Sequence, residues 1–480
     1  MPAAPSDRPH ILLIISDDHG YADLSSRGSA DARTPHLDRL AASGMSFDSA
    51  YVTAPICSPS RAGLIAGAHQ QRWGGHWFSD ASFPPARQPV LPELLRAGGY
   101  RTGYFGKVHY GFEQPGDRAC PEQHGFDSSF YGMTSTSAGR LHYLHHSRES
   151  RERLGDAFHA VHGVNPMFED GREVDCEQHL TTAFADRAIE FMGPAPESDG
   201  ADGTATEDPF FCMVAFNAVH NFAWQLPEDE LAARALPRHE DFDPDTDRYI
   251  DWYDGAISPN LENGRAYYLA QLEIMDREIG RMLDHLEGTG RRENTLVVYL
   301  TDNGGSACNY GNNAPLHGTK YSLFEGGVRV PLMVSWPGMV RPGSRSDALV
   351  SSMDLLPTFL AAAGIEHPDP EQIDGRPLQE VMDGTGGGHE LMHFDTGFQW
   401  AVRDRLWKLR WVDEEDTTYR DRLLKNEHTD IGAGLTLVPI GRDLDESPEA
   451  DVAAEHPEVV AALLEAHQAW SARMRELASA

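Results

Sequence analysis

The sequence predicts an α/β fold, with a large mixed, mostly parallel sheet sandwiched by helices over residues 1–383 and a smaller α+β domain over residues 384–480. Three observations carry that expectation. Continuous apolar runs, such as His10–Ser16, Pro209–Val219 and Asn294–Thr301, read as strands buried on both faces of a parallel sheet. Segments with helical spacing lie between them. From about residue 384 the runs become short and alternating, which suits an antiparallel sheet.

In chain order, His10–Ser16 (HILLIIS) is the first strand and ends in Asp17-Asp18-His19-Gly20. Thr34–Gly44 reads as a helix, with Thr34 as N-cap, Pro35 at the first helical position and Gly44 as C-cap. A second helix signal begins near Pro59, because proline suits a first helical turn. Cys57 then sits just ahead of a helix N-terminus, where free N–H groups and the helix dipole favour an anion. Arg61, four residues on, projects toward the same face and can fork onto an oxyanion. Gln71–Phe78 is aromatic and reads equally as a sugar-stacking wall or as core and interface packing, and Trp73, Trp77 and Trp224 are the candidates for stacking on sugar rings. Pro92–Ala97 is helical. Arg101–His109 is a strand ending in Lys107-x-His109, two side chains on one side of it. Residues 112–170 show no clear period and read as loops over the site. Cys176–Met192 is a helix, Pro194–Asp208 a linker, and Pro209–Val219 a strand ending at His220. The acidic stretch Pro227–Asn263 reads as a substrate-facing loop. Glu262–Gly288 repeats Tyr268, Leu272, Met275, Ile279, Met282 and Leu286, a core-facing stripe. Asn294–Thr301 ends in Asp302-Asn303-Gly304. Leu332–Trp336 is a further strand and Asp354–Ala363 a helix. Glu390–Asp395 and Trp400–Val412 read as short antiparallel strands, and Glu455–Leu477 as a closing helix.

Forty basic residues face 74 acidic ones, a formal net charge of −34. That argues against nucleic acid and against anionic membrane surfaces as partners. Any anion site must therefore be locally basic. No apolar run approaches the roughly 20 residues that span a bilayer. The N-terminus lacks a basic region followed by an apolar one, so no signal peptide is expected and a cytoplasmic location is the simplest reading. Five scattered cysteines suggest neither a disulfide framework nor a zinc site. Only Lys107, Lys320, Lys408 and Lys425 are lysine; every other basic residue is arginine. Keeping lysine at 107 and 320, inside strand-end segments, points to chemical need, since lysine is a compact charge that can give up a proton. Lys408 lies outside those segments and is expected to tolerate arginine.

The apolar strands end at Asp17-Asp18, Lys107/His109, His220 and Asp302-Asn303. In a doubly wound sheet those carboxyl ends share one edge, where ligands bind. Asp17, Asp18, Asp302 and Asn303 form an all-oxygen set that suits Ca²⁺ or Mg²⁺. The ordered segments Asp17-Asp18, Cys57-x-Pro59-x-Arg61, Gly106-Lys107-x-His109, His220, Asp302-Asn303-Gly304, Lys320 and Glu325-Gly-Gly-Val-Arg-Val-Pro331 resemble the type I, formylglycine-dependent sulfatases. The segment Arg442–Asp451 resembles that family's second-domain pattern.

The resemblance implies an alkaline phosphatase-like fold and release of inorganic sulfate from a sulfated mono- or oligosaccharide. It implies Ca²⁺, with Mg²⁺ as second choice, held by Asp17, Asp18, Asp302, Asn303 and residue 57. Cys57 would be converted to Cα-formylglycine by a maturation enzyme, and its hydrate would attack sulfur. Arg61, Lys107 and Lys320 would neutralise sulfate oxygens. His220, with Lys320, would protonate the departing alkoxide, and His109 would deprotonate the second hydroxyl to expel sulfate. Two alternatives share the motifs: a phosphonate monoester hydrolase or phosphodiesterase, and a non-catalytic relative that binds sulfated glycans with Cys57 unconverted.

Overall fold

The computed structural model describes residues 8–134, 139–154, 166–194, 209–240, 243, 245–246, 261–413, 415–416, 432, 434–441 and 444–479. Most of the expected linker at 194–208, the insertion beyond residue 240, Lys425 and the Arg442-Asp443 pair lie outside the described residues.

The strands in chain order are β1 (His10–Ser16), β2 (Met45–Phe47), β3 (Ala50–Tyr51), β4 (Arg101–Val108), β5 (Ser128–Met133), β6 (Met167–Glu169), β7 (Arg172–Val174) and β8 (Phe210–Ala215). They continue with β9 (Thr295–Thr301), β10 (Leu332–Ser335), β11 (Ser344–Ser346) and β12 (Val350–Ser351). Ten of them form one sheet in the order β11-β2-β10-β9-β1-β8-β4-β5-β6-β7, while β3 pairs with β12 alone. Strands β9, β1, β8, β4 and β5 run parallel. β10 is antiparallel to both β9 and β2, so β2 points the same way as β9. Every residue of β1, β8 and β9 is buried, which is why the sequence shows unbroken apolar runs there.

Helices lie on both faces: α1 (Pro35–Ala42), α2 (Cys57–Ala66), α3 (Leu91–Ala97), α4 (Leu180–Met192), α5 (Gly264–Gly288) and α6 (Leu355–Ala363). Alternation along β1 sorts the two cores. Leu12 and Ile14 join the cluster that contains α1, α4 and α5 side chains. Ile11, Leu13 and Ile15 join the one that contains α2, α3 and α6 side chains. The α5 stripe, Tyr268, Leu272, Met275, Ile279, Met282 and Leu286, is wholly buried. Each such side chain contributes about 1.5–3 kcal/mol of transfer free energy.

A second sheet is antiparallel, in the order β13 (Met392–Asp395), β14 (Gln399–Arg403), β15 (Trp407–Val412) and β16 (Gly434–Pro439). Helix α7 (Pro457–Ser479) packs Leu463 against Val402, Leu409 and Leu437. On the other side Met392, Phe394 and Ala401 meet Tyr51, Leu323 and Val328 of the large unit.

Several expectations change. Residues 112–170 are not only loops: β5 extends the sheet beside β4, and β6 and β7 follow it. The short run SSFYGM, broken by Gly132, carries too little period to declare itself. Trp400–Val412 is two strands, split by a turn in which Asp404 Oδ1 accepts from the Leu406 and Trp407 N–H groups at 2.7 Å each. Helix α2 starts at Cys57 itself, with Ile56 as the extended N-cap. Thr34 is the N-cap of α1 but makes no side-chain cap. Asp276 of α5 does that job, accepting from His36 N at 3.0 Å and Leu37 N at 2.8 Å.

Candidate active site

β1 and β9 run side by side in register, so the residues that follow them emerge together. Asp302 N donates to Ser16 O, and Asp17 exchanges backbone bonds with Ala218 and Val219 beyond β8. Asp18 adopts a left-handed φ of 57°, which a short polar residue tolerates. On the other side, α2 presents Cys57 and Arg61 from its first turn and a half. Gly106, with φ of 147°, leaves no room for a Cβ, which would sit 2.0 Å from Ala215 O. Only glycine lets β4 lie this close to β8 just before Lys107.

These strand ends bring the predicted residues into one buried cluster. Cys57 Sγ is 3.6 Å from Asp17 Oδ1 and 3.2 Å from Lys320 Nζ. Lys320 Nζ also lies 2.7 and 2.9 Å from the Asp18 oxygens and 3.2 Å from His220 Nε2. Lys107 pairs with Asp17 Oδ2. Arg61 donates from Nε to Asp302 Oδ2 at 2.9 Å, and its Nη2 lies 3.5 Å from Asp17 Oδ2. Asn303 Nδ2 donates to Asp18 Oδ1 at 2.7 Å. His109 is buried and feels the charges of Lys107, Arg61 and Lys320.

Burial and the nearby Asp302 push the Asp17 carboxyl up to about 7, against Lys107 and Arg61. Burial also raises Asp302, but Arg61, Lys107 and Lys320 overcome it and hold that carboxyl below its ordinary value. Burial and Asp302 push the Cys57 thiol well above the ordinary thiol range. A thiol in that state is a poor nucleophile. Burial lowers Lys320, yet Asp18 and Cys57 win and keep it protonated. His220 and His109 are both held well below the usual imidazole value, by burial first and the neighbouring lysines next.

Three carboxylates and an amide oxygen make a hard, all-oxygen donor set. Asn303 Oδ1 is buried with no hydrogen-bond partner among the described residues. Donor atoms of Asp17, Asp18, Cys57 and His220 lie within 4.8 Å of one another. Asp302 lies outside that grouping, so the fit to a hard divalent cation rests on the carboxylates of Asp17 and Asp18 and on the unpartnered Asn303 Oδ1.

Asn309 and Ser60 were not foreseen. Asn309 Nδ2 donates to Asp18 Oδ2, and Asn221, next to His220, donates to Asn309 Oδ1 at 2.6 Å. Ser60 Oγ donates to Asp302 O at 2.6 Å. Nothing in the asparagine-rich run 303–313 singles out Asn309. The aromatic wall dissolves: Trp77 is core, edge-on to Phe398 at 5.0 Å, and Trp224 is buried against Phe222. Trp73 alone of the three is half-buried, its indole N–H bonded to Ser82 O at 3.2 Å.

Comparison with known proteins places this geometry in a lineage. The family model described as Sulfatase matches residues 9–365. The N-acetylgalactosamine-6-sulfatase of Sus scrofa is 30% identical over 392 residues, covering 78% of this chain; the chain spans 66% of that protein's length. Arylsulfatase J of Mus musculus is 27% identical over 502 residues, covering 96% of this chain and 75% of its own. Among solved structures, Ps i-CgsB in complex with k-i-k-neocarrahexaose superposes with a TM-score of 0.76 at 27% identity, covering 97% of this chain and 93% of that one.

Proposed function

From the premise that the chain belongs to the sulfatase family, we propose that it hydrolyses the sulfate ester of a small sulfated carbohydrate. The observation that carries this reading is the position of Cys57. It is the first residue of α2, 3.2 Å from Lys320 Nζ and 3.6 Å from Asp17 Oδ1, inside the buried cluster of acidic and basic side chains at the ends of β1 and β9. Its thiol is held in the inert, protonated form, so the encoded residue calls for conversion before it can act. Oxidised by a maturation enzyme to Cα-formylglycine, residue 57 supplies a hydrated aldehyde with one hydroxyl to attack sulfur. Asp17, Asp18, Asp302 and Asn303, with residue 57, would hold Ca²⁺, which supplies Lewis-acid stabilisation of sulfate oxygens.

The chain's own residues do the rest. Arg61 and Lys107 draw charge from the sulfate oxygens, in a site that excludes water and so strengthens each contact. Arg61 Nη1 is buried without a partner among the described residues, a donor free for that role. As the S–O bond to the sugar breaks, the departing alkoxide needs a proton. Lys320 carries one and lies 3.2 Å from His220 Nε2, so the pair delivers it at Nε2. His109 is held neutral by burial and the nearby cations, and its Nδ1 is buried with no partner among the described residues. It accepts the proton that accompanies sulfate release.

The test is release of sulfate from 4-nitrophenyl sulfate and from 6-O-sulfated N-acetylgalactosamine, beside release of phenol from phenyl phenylphosphonate. Faster turnover of the sulfates supports the reading. Preference for the phosphonate would replace it with a phosphonate monoester hydrolase. No turnover, with Cys57 still unconverted by mass spectrometry after co-expression with a maturation enzyme, would leave a glycan-binding relative. We further propose residues 1–383 and 384–480 as the two structural units.

A further inference from the structure

A second crevice opens at the same edge of the sheet. It has a volume of about 760 Å³, within the range of small-molecule sites. Tyr21, three residues past Asp18, stands on one wall, and Pro315 and Leu316, a few residues before Lys320, on another. The strand ends beneath it belong to β2 and β11, which run parallel to β9. β2 is two strands from β9, which is roughly 10 Å at ordinary strand spacing. An oligosaccharide of a few units spans that distance.

The charge of this crevice runs against the rest of the molecule. Arg27, Arg329, Arg345, Arg403 and Arg405 line it, with Asp48 and Asp347 as the acids among the described residues, in a chain of net charge −34. Four of the arginines are paired: Arg345 with Asp48, Arg405 with Asp347, and Arg329 and Arg403 with Glu325. Arg27 is not. Among the described residues no carboxylate lies within ion-pair distance of it, and the hydrogen bond its guanidinium makes there is a long one to Phe47 O at 3.4 Å. The guanidinium is half-buried and lies over the Tyr21 ring, 3.9 Å from its centroid. Arg329 faces the same ring at 5.7 Å. Burial pulls Arg27 below its ordinary value, with Arg345 and Arg329 adding to it, and the opposing pull of Tyr21 and Asp48 does not make up the loss. A partly desolvated, oriented and unneutralised guanidinium is costly unless an anion completes it.

We propose that this crevice is an accessory binding site for a second anionic group, sulfate or carboxylate, on a saccharide, with Arg27 as its principal contact and Arg345 and Arg405 as its rim. The ligand class rests on the sulfated-carbohydrate reading above; the site itself rests on the arginines. The crevice lets a strongly acidic protein hold a polyanionic saccharide while the long-range field repels it.

Sucrose octasulfate is the probe, titrated calorimetrically at about 0.15 M salt, where surface charges are screened beyond roughly 8 Å. Arg27→Gln should weaken binding on the order of 10- to 100-fold, the size expected for a charge-assisted contact. Arg27→Lys should fall between the two. Arg405→Gln, at an exposed position that cannot unfold the protein, should also weaken binding. Turnover of 4-nitrophenyl sulfate, which carries one anionic group, should be unchanged in all three variants. Wild-type affinity in both Arg27→Gln and Arg405→Gln would overturn the site while leaving the sulfatase reading intact. Equal loss of 4-nitrophenyl sulfate turnover and of binding would also overturn it, by making Arg27 structural. Binding that depends on Arg27 in a protein with no sulfatase activity would support the site and remove the sulfatase reading alone.

Discussion

Lys320 Nζ sits between a carboxylate, a sulfur and an imidazole, touching Asp18, Cys57 and His220 within 3.2 Å. Arginine would keep the charge, but it is longer, planar and cannot be left neutral after giving a proton. Lys320→Arg is therefore expected to fold and to lose on the order of 10²- to 10³-fold in kcat on a sugar sulfate. The loss on 4-nitrophenyl sulfate should be smaller, because that leaving group needs little protonation. Measuring kcat on both substrates decides it: equal activity of variant and wild type on the sugar sulfate would make the lysine incidental. Lys408 was expected to serve as the tolerant control, and the structure overturns that. Its ammonium is fully buried between Glu325 Oε1 and Glu446 Oε1, 3.0 Å from each. Rarity of lysine marked both residues, but the sequence could not tell a chemical need from a buried ion pair. At Lys408→Ala the buried Glu446 loses its ammonium partner, while Glu325 keeps Arg329 and Arg403, and breaking such a buried pair costs about 3–5 kcal/mol. A thermal melt should show a large drop in Tm, and Lys408→Arg should also lower it.

The ends of helices and strands carry the next set of expectations. Asp276 reaches from α5 to cap α1, so Asp276→Ala should cost about 0.5–2 kcal/mol in a denaturant titration. Its pH dependence has a definite sign. Burial raises the carboxyl from 3.8 to about 6 despite the two N–H donors. The folded state then binds the proton more tightly than the unfolded chain, so this group's contribution falls as pH rises from about 4 to about 6 and is flat above. Asp276→Asn should remove that slope from the stability curve, and an unchanged slope would contradict the assignment. Elements buried on both faces were legible: β1, β8 and β9 are unbroken apolar runs, and the groups that follow them were placed at one edge by topology alone. Elements defined by distant partners were not. β5 depends on β4 beside it, the α1 cap comes from 240 residues away, and Asn309 reaches Asp18 across 291. Trp77 looked like a sugar platform because aromatic residues announce contact area without saying what fills it. Glu446 gained its meaning only in three dimensions, where it accepts from Glu325 N at 2.7 Å and joins the second sheet to the first.

For the molecule as a whole, the net charge of −34 is the dominant long-range fact. Self-repulsion of that size opposes the compact state and is screened by salt. Raising ionic strength from low to moderate should therefore raise Tm, and a salt-independent Tm would show that local pairing already cancels the repulsion. The same field should slow approach of a long polysulfated chain, so sulfate release from mono- or disaccharides should exceed release from polymer at low salt; the reverse order would count against a small substrate. No helix among the described residues is long and apolar enough to cross a membrane. The account stands or falls on residue 57. The decisive measurement is sulfate release from 4-nitrophenyl sulfate by two preparations made with a formylglycine-generating enzyme, wild type and Cys57→Ala, with the wild-type peptide containing residue 57 weighed by mass spectrometry. The account predicts a converted residue 57 and turnover in the first preparation and background in the second. Turnover by Cys57→Ala comparable to wild type would contradict it.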